Sequence, residues 1–162
     1  FFPFIKEAVA FGHEKDYVSA FLCIDIEAVG SWAERQNLAY SGYTDLSARS
    51  EVYDMLQDCV ETVNSDLARD EKLSGSQIKR FLLLHKELHA DDGELTRTRK
   101  VRRRIVAEKF DVLIDALYEP TQTYCEIESE MTFEDGRTGI VHADLQIREA
   151  ERHKTQLHTS AA

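Results

Sequence analysis

Phe81-Leu82-Leu83-Leu84 is the segment that most narrows the folds open to this chain. With Ile78 it makes a nearly continuous apolar run, which suits a strand buried on both faces. A strand covered twice needs material above and below its sheet, and the rest of the chain offers it. Ile5 to Gly12 and Tyr17 to Ile26 read as two further strands joined by the polar turn Gly12-His13-Glu14-Lys15-Asp16. Asp25 is placed to cap a helix through Ala28, Val29, Trp32 and Ala33, ending near Asn37. Val52, Leu56, Val60, Val63 and Leu67 recur at helical spacing and predict a long amphipathic helix. Val101, Ile105, Phe110, Leu113 and Leu117 predict the last main helix, stopped by Pro120. Residues 38–50 and Ser74-Gly75-Ser76 read as loops, and Asp91-Asp92-Gly93 as a turn.

After Pro120 the period becomes two. Tyr124 to Met131 and Thr138 to Ile147 alternate apolar and polar residues about a Glu134-Asp135-Gly136-Arg137 turn, which predicts a second hairpin. The order β-β-α-α-β-α-β-β is not doubly wound. It predicts an α+β domain: a small antiparallel or mixed sheet flanked by three helices, plus a C-terminal β-hairpin extension. The expected organisation is a domain over 1–120, the hairpin over 121–148, and a polar, frayed tail over 149–162.

Composition bounds the function. The 162 residues carry 20 Lys and Arg against 30 Asp and Glu, a net charge of −10 that disfavours non-specific nucleic-acid binding. No run approaches the ~18–20 apolar residues of a spanning helix. Cys23, Cys59 and Cys125 form no CxxC, and an odd count argues against a disulfide framework, so they read as core or surface thiols of a cytosolic protein. The six histidines read as surface residues, and no metal site is expected. Trp32 and the tyrosines read as core or hinge packing. The start Phe1-Phe2-Pro3, with no Met and no basic-then-apolar leader, reads as the cut end of a longer chain.

One stretch runs against the acidic total. Residues 95–104 hold five Arg and one Lys, with no acid. As a solvated first helical turn they would sit where the macrodipole disfavours cations. They could instead be a nucleic-acid or localisation patch, though without interleaved aromatics, or an anion site that meets phosphate or carboxylate. No phosphate loop, nucleophile elbow or dinucleotide fingerprint accompanies them.

The stretch Ile78 to Leu84, then Leu88, then Asp91-Asp92-Gly93-Glu94-Leu95-Thr96-Arg97-Thr98-Arg99-Lys100-Val101-Arg102-Arg103, resembles the C-terminal domain of AMP-forming acyl-CoA synthetases, most of all the long-chain fatty-acid branch. That family's last core motif runs approximately Gly-x-Leu-Thr-x-Thr-x-Lys-x-x-Arg. Phe4 to Gly12 and Tyr17 to Phe21 are similar to its first two strands, so the resemblance covers about residues 1–118. It implies a two-step reaction: a fatty acid attacks ATP to give acyl-adenylate and pyrophosphate, then coenzyme A displaces AMP. It places the motif's lysine at Lys100, delivered to an N-terminal adenylation domain of the same polypeptide and withdrawn by rotation. Arg97, Arg99 and Arg102 become candidate phosphate contacts. ATP, Mg2+ and coenzyme A would serve the full-length enzyme, with none bound to this part and no catalysis by it alone. The implied setting is cytoplasmic, with peripheral membrane association open and no nucleic-acid partner. Most of the superfamily has Gly before the lysine where this chain has Arg99. The reading from another class is a stand-alone binding module whose basic 97–104 loop meets nucleic acid or acidic lipid.

Overall fold

The computed structural model describes residues 2–133 and 135–155. Strands β1 (Ile5–Phe11) and β2 (Val18–Ile24) form the expected antiparallel hairpin. Helices α1 (Ile26–Arg35), α2 (Tyr43–Ala48) and α3 (Ser50–Ala68) then lead through a short 3-10 turn to β3 (Ile78–Leu83), which pairs parallel to β2. Helices α4 (Arg103–Lys109) and α5 (Asp111–Leu117) precede β4 (Tyr124–Thr132) and β5 (Thr138–Gln146), the second antiparallel hairpin. A last strand, β6 (Arg148–Glu149), adds to β3 and completes a mixed sheet of order β1-β2-β3-β6. The α+β expectation, with a small mixed sheet and a C-terminal hairpin, holds.

The two-sided burial of β3 organises everything else. Successive side chains of a strand point to opposite faces. Phe81 and Leu83 join Ala20, Leu22 and Ile24 of β2 against Val29, Ala33, Val52, Leu56 and Val60 of α1 and α3. Leu82 and Leu84 join Phe21 and Cys23 on the other face, against Val106, Phe110, Leu113 and Leu117 of α4 and α5 and Cys125 and Leu145 of the hairpin. The hairpin is therefore part of the second core. Tyr53 ties the layers together: its hydroxyl donates to the Gln146 carbonyl at 2.8 Å and accepts the Leu83 N–H at 3.1 Å.

Three expectations need correction. The last main helix is two helices, broken at Phe110 (φ −116°, ψ 31°). Val106, Phe110, Leu113 and Leu117 keep helical spacing across the break, and the Phe110 N–H still donates to the Val106 carbonyl at 3.0 Å, so the periodicity does not show it. Phe110 is fully buried against Phe21 and His85, and the break delivers it there. Residues 38–50 contain α2, a single short helix whose Leu46 and Ser47 are buried. Its Ser, Thr and Gly content hides a helix too short to show a period. Finally, against the expected frayed tail from residue 149, Arg148–Glu149 is an edge strand, Ala150 is buried, and the exposed residues after it are held by hydrogen bonds. Asn64 donates to the Glu151 carbonyl at 2.9 Å, and Gln77 exchanges two bonds with the His153 backbone, at 2.8 and 2.7 Å. Glu134 of the expected turn and residues 156–162 lie outside the described residues. The cysteines are all buried and free, and burial, reinforced by Glu7, pushes the Cys23 thiol up to about 12. They are core residues without nucleophilic character.

Arg80 is a buried cation that sequence patterning does not mark. It is 1% exposed, and its guanidinium donates to the carbonyls of Ala116 (3.0 Å), Leu117 (2.9 Å), Glu119 (2.6 Å) and Gln122. These carbonyls belong to the last turn of α5 and the turn after it, where a cation complements the helix dipole; those of Ala116, Leu117 and Glu119 also accept from the Glu119 N–H, the Tyr17 hydroxyl and the Gln122 N–H. Arg80→Met should lower the unfolding free energy of the chain by about 2–4 kcal/mol, because it removes four charge-assisted hydrogen bonds that tie β3 to the end of α5. Urea titration followed by circular dichroism measures this. A loss under about 0.5 kcal/mol would mean that water satisfies those carbonyls instead.

Candidate functional site

The basic run does not open a helix. Leu95 and Val101 form an isolated antiparallel bridge, and residues 96–100 turn between them. The Thr96 N–H donates to the Lys100 carbonyl at 2.8 Å, the Arg99 N–H to the Thr96 carbonyl at 2.9 Å, and the Lys100 N–H to Thr96 Oγ1 at 3.1 Å. Below the bridge, the Arg102 N–H donates to the Glu94 carbonyl at 2.8 Å. Residues 94–102 thus form a closed, hairpin-like loop. Helix α4 begins only at Arg103, so the macrodipole objection touches Arg103 and Arg104 alone.

Lys100 stands on this loop, exposed. Among the described residues its ammonium has no hydrogen-bond or ion-pair partner. Arg97 and Arg99 are exposed on the same tip and line a groove of about 420 Å³ with Lys6, Glu87 and His89. Arg102 lies at the stem, its guanidinium 3.4 Å from the Gly93 carbonyl. The structure therefore brings Arg97, Arg99 and Lys100 together on one projecting surface and sets Arg102 below them. Arg103 reaches back to the Ala10 carbonyl, and Arg104 pairs with Glu108 at 3.1 Å, so these two serve the fold more than the tip. The resulting surface is a flexible ammonium on a pinned backbone, flanked by guanidiniums. It suits transient contact with phosphate or carboxylate oxygens.

The loop stands on a buried charge cluster that sequence reading treated as turn chemistry. Lys86 is fully buried, with its ammonium 2.6 Å from Asp92 Oδ2 and 2.6 Å from Glu94 Oε1. Glu94 is also fully buried. Its Oε1 accepts the His89 N–H at 3.0 Å, and its Oε2 accepts Lys109 at 2.9 Å. Burial pushes the Asp92 carboxyl up, but hydrogen bonds from Lys86 and Thr132 and the charges of both lysines outweigh it and hold the group below the usual aspartate value. A lysine two residues beyond a continuous apolar run, between His85 and Glu87, was the available signal for Lys86. No trio of His, Cys, Asp or Glu among the described residues is arranged to hold a metal.

His85 also departs from expectation: it is 2% exposed, not a surface histidine. Its Nε2 lies 2.7 Å from Ser129 Oγ, and its Nδ1 is buried without a partner. Burial, helped by the neighbouring Lys86 charge, pushes its pKa down to about 4 from 6.5.

Residues 2–122 match the AMP-binding enzyme C-terminal domain family. The chain belongs to that family. The long-chain-fatty-acid–CoA ligase FadD15 of Mycobacterium tuberculosis is 33% identical over 117 residues, 72% of this chain and 19% of the ligase. A putative fatty-acid–CoA ligase of the same organism, fadD11, is 32% identical over 116 residues, again 72% of this chain and 19% of the relative. The chain thus spans about a fifth of the length of the curated relatives it matches. Among solved structures, the A-PCP didomain of a carboxylic acid reductase from Segniliparus rugosus, in complex with AMP, superposes with a TM-score of 0.50. It is 18% identical and covers 73% of this chain and 14% of that one, a likeness of fold. The β4–β5 hairpin lies beyond the family match.

Arg99 stands where the motif resemblance implies Gly in most of the superfamily, and its φ is +63°, in the left-handed region. The loop needs that backbone, and a side chain there costs about 1–2 kcal/mol. Arg99→Gly should leave stability unchanged or raise it by up to about 1 kcal/mol, while β-branched Arg99→Val should lower it by about 1–2 kcal/mol. Denaturant midpoints decide; a Gly variant less stable than the Val variant would contradict the observed turn.

His85 makes a second prediction. It is neutral in the folded chain, whereas the unfolded chain takes up a proton near the ordinary histidine value of about 6.5. Its contribution is therefore complete above that value. It falls by about 1.4 kcal/mol for each pH unit below, until pH nears about 4. Thermal melts between pH 7 and pH 5 should show this slope, and His85→Gln should flatten it. An equal slope in the variant would mean that another group carries the acid sensitivity.

Proposed function

We propose that this chain is the mobile C-terminal domain of a long-chain fatty-acid–CoA ligase and that Lys100 is its catalytic lysine. The observation that carries the reading is the pairing of a rigid loop with a free ammonium. The 94–102 backbone is closed by its own hydrogen bonds, while the Lys100 side chain reaches solvent without a partner among the described residues. Membership of the family and similarity to ligases named for long-chain fatty acids support the substrate class.

When a carboxylate attacks the α-phosphorus of ATP, negative charge gathers on the carboxylate and on the phosphate oxygens. A lysine delivered from a separate domain supplies a positive charge at that moment. Its four-carbon stem lets the ammonium reach into a cleft in a partner domain. Arg97 and Arg99 stand beside it to meet phosphate oxygens, and Arg102 holds the stem. The fatty-acid tunnel and the adenine and phosphate pockets belong to the N-terminal adenylation domain. Magnesium would arrive with the ATP phosphates. Rotation of the domain after adenylation withdraws Lys100 and lets coenzyme A reach the adenylate, a two-state hinge motion. No helix among the described residues is long and apolar enough to cross a membrane, and the reading places the enzyme in the cytoplasm.

In the full-length protein, Lys100→Ala should reduce adenylate formation, followed as pyrophosphate release, by about 100-fold or more. Thioester formation from supplied acyl-adenylate and coenzyme A should stay within about threefold. Equal loss in both half-reactions would reject the assignment.

A further inference from the structure

The β4–β5 hairpin lies outside the family match yet touches the two segments that hold the Lys100 loop. Near its middle, Ser129 Oγ meets His85 Nε2 at 2.7 Å. At its far end, Thr132 Oγ1 donates to Asp92 Oδ1 at 2.6 Å. Lys86 follows His85 directly and is the fully buried ammonium that grips Asp92 Oδ2 and Glu94 Oε1. Glu94 is both the last link of this chain of bonds and the base of the loop, because its own carbonyl takes the Arg102 N–H. Thr132, Asp92, Lys86 and Glu94 therefore connect the end of the hairpin to the stem that carries Lys100.

We propose that the hairpin is a clamp on the Lys100 loop, with Thr132 and Lys86 as positioning residues for adenylate formation. The proposal rests on the reading of Lys100 given above. Two lysines and two carboxylates neutralise one another inside the cluster, so charge can stay buried only while the four groups hold their places. Of the two carboxylates Asp92 is the less enclosed, with a side chain 7% exposed against 0% for Glu94, and it is the one the hairpin secures. A buried ion pair fixes geometry more than it adds stability, which suits a device that must deliver one ammonium to one place. Misplacement of a reacting group by about an ångström can cost about 100-fold in rate.

Packing and positioning separate along the hairpin. Its apolar anchors, Cys125 and Leu145, pair near the open end, and Ile147 follows β5, while Thr132 at the other end is half-buried. Thr132→Val removes the hydroxyl and keeps the shape. In the full-length protein this variant should slow adenylate formation by about tenfold at saturating ATP and fatty acid, with both KM values within about twofold. Thioester formation from supplied acyl-adenylate should be unchanged, and Thr132→Ser should restore the first step. Unchanged adenylate formation in Thr132→Val, parallel loss of both steps, or failure of Ser to rescue would each overturn the clamp. Lys100→Ala run alongside separates the two ideas. If it spares adenylate formation, the reading of Lys100 fails. If it abolishes adenylate formation while Thr132→Val does not slow it, only the clamp fails.

Discussion

The Lys86 ammonium, enclosed between Asp92 and Glu94, is the interaction on which the working end of this domain depends. Removing a lysine from water costs several kcal/mol, and carboxylates on two sides repay it only in good geometry. Both contacts are 2.6 Å, and Lys109 balances the second carboxylate at 2.9 Å. Loss of one member would strand a buried charge, at a cost of about 3–5 kcal/mol. The cluster therefore has one well-defined arrangement. The loop above it inherits that arrangement through Glu94, which is clamped by its side chain and bonded across the stem by its backbone. Rigidity reaches the stem and stops there: Lys100 itself is left free to move.

This division explains which features could be read from sequence. β3 announced itself because four apolar residues in a row leave few alternatives to a strand between two layers, and both layers are present. Asp25 capped α1 as its position implied, accepting the Glu27 and Ala28 N–H groups at 3.1 Å each. The first hairpin followed from two apolar segments about a polar turn, and the second from alternation. These are local signals, in which neighbouring residues share a period.

What stayed hidden was set by contacts distant in sequence. Arg80 looks like an ordinary exposed strand residue until the carbonyls at the end of α5, 36 to 42 residues on, surround its guanidinium. Glu94 resembles a turn acid until Lys86 and Lys109 close over it. His85 becomes neutral and buried only because Phe110 and Ser129 arrive from α5's start and β4. The motif around Lys100 was legible for another reason. Its resemblance to the family marked the residue, but not that the run is a loop with a left-handed Arg99 at its turn. The helical reading failed there because positive φ at a non-glycine residue has no compositional signature.

Charge distribution completes the picture. Nine of the chain's acids lie within residues 119–151, against two basic residues, while 95–104 carries six cations. Such neighbours would ordinarily pair and blunt the cationic tip. They do not, because Glu126, Glu128 and Glu130 share the exposed face of β4, while the intervening Cys125, Ile127, Ser129 and Met131 turn inward. The hairpin touches the loop region through the hydroxyls of Ser129 and Thr132, not through its carboxylates. Among the described residues, no acid of the hairpin pairs with Arg97, Arg99 or Lys100. A neutral contact can hold a cationic loop in place without quenching it. That lets an acidic extension steady a basic site and leave its charge for an anionic partner.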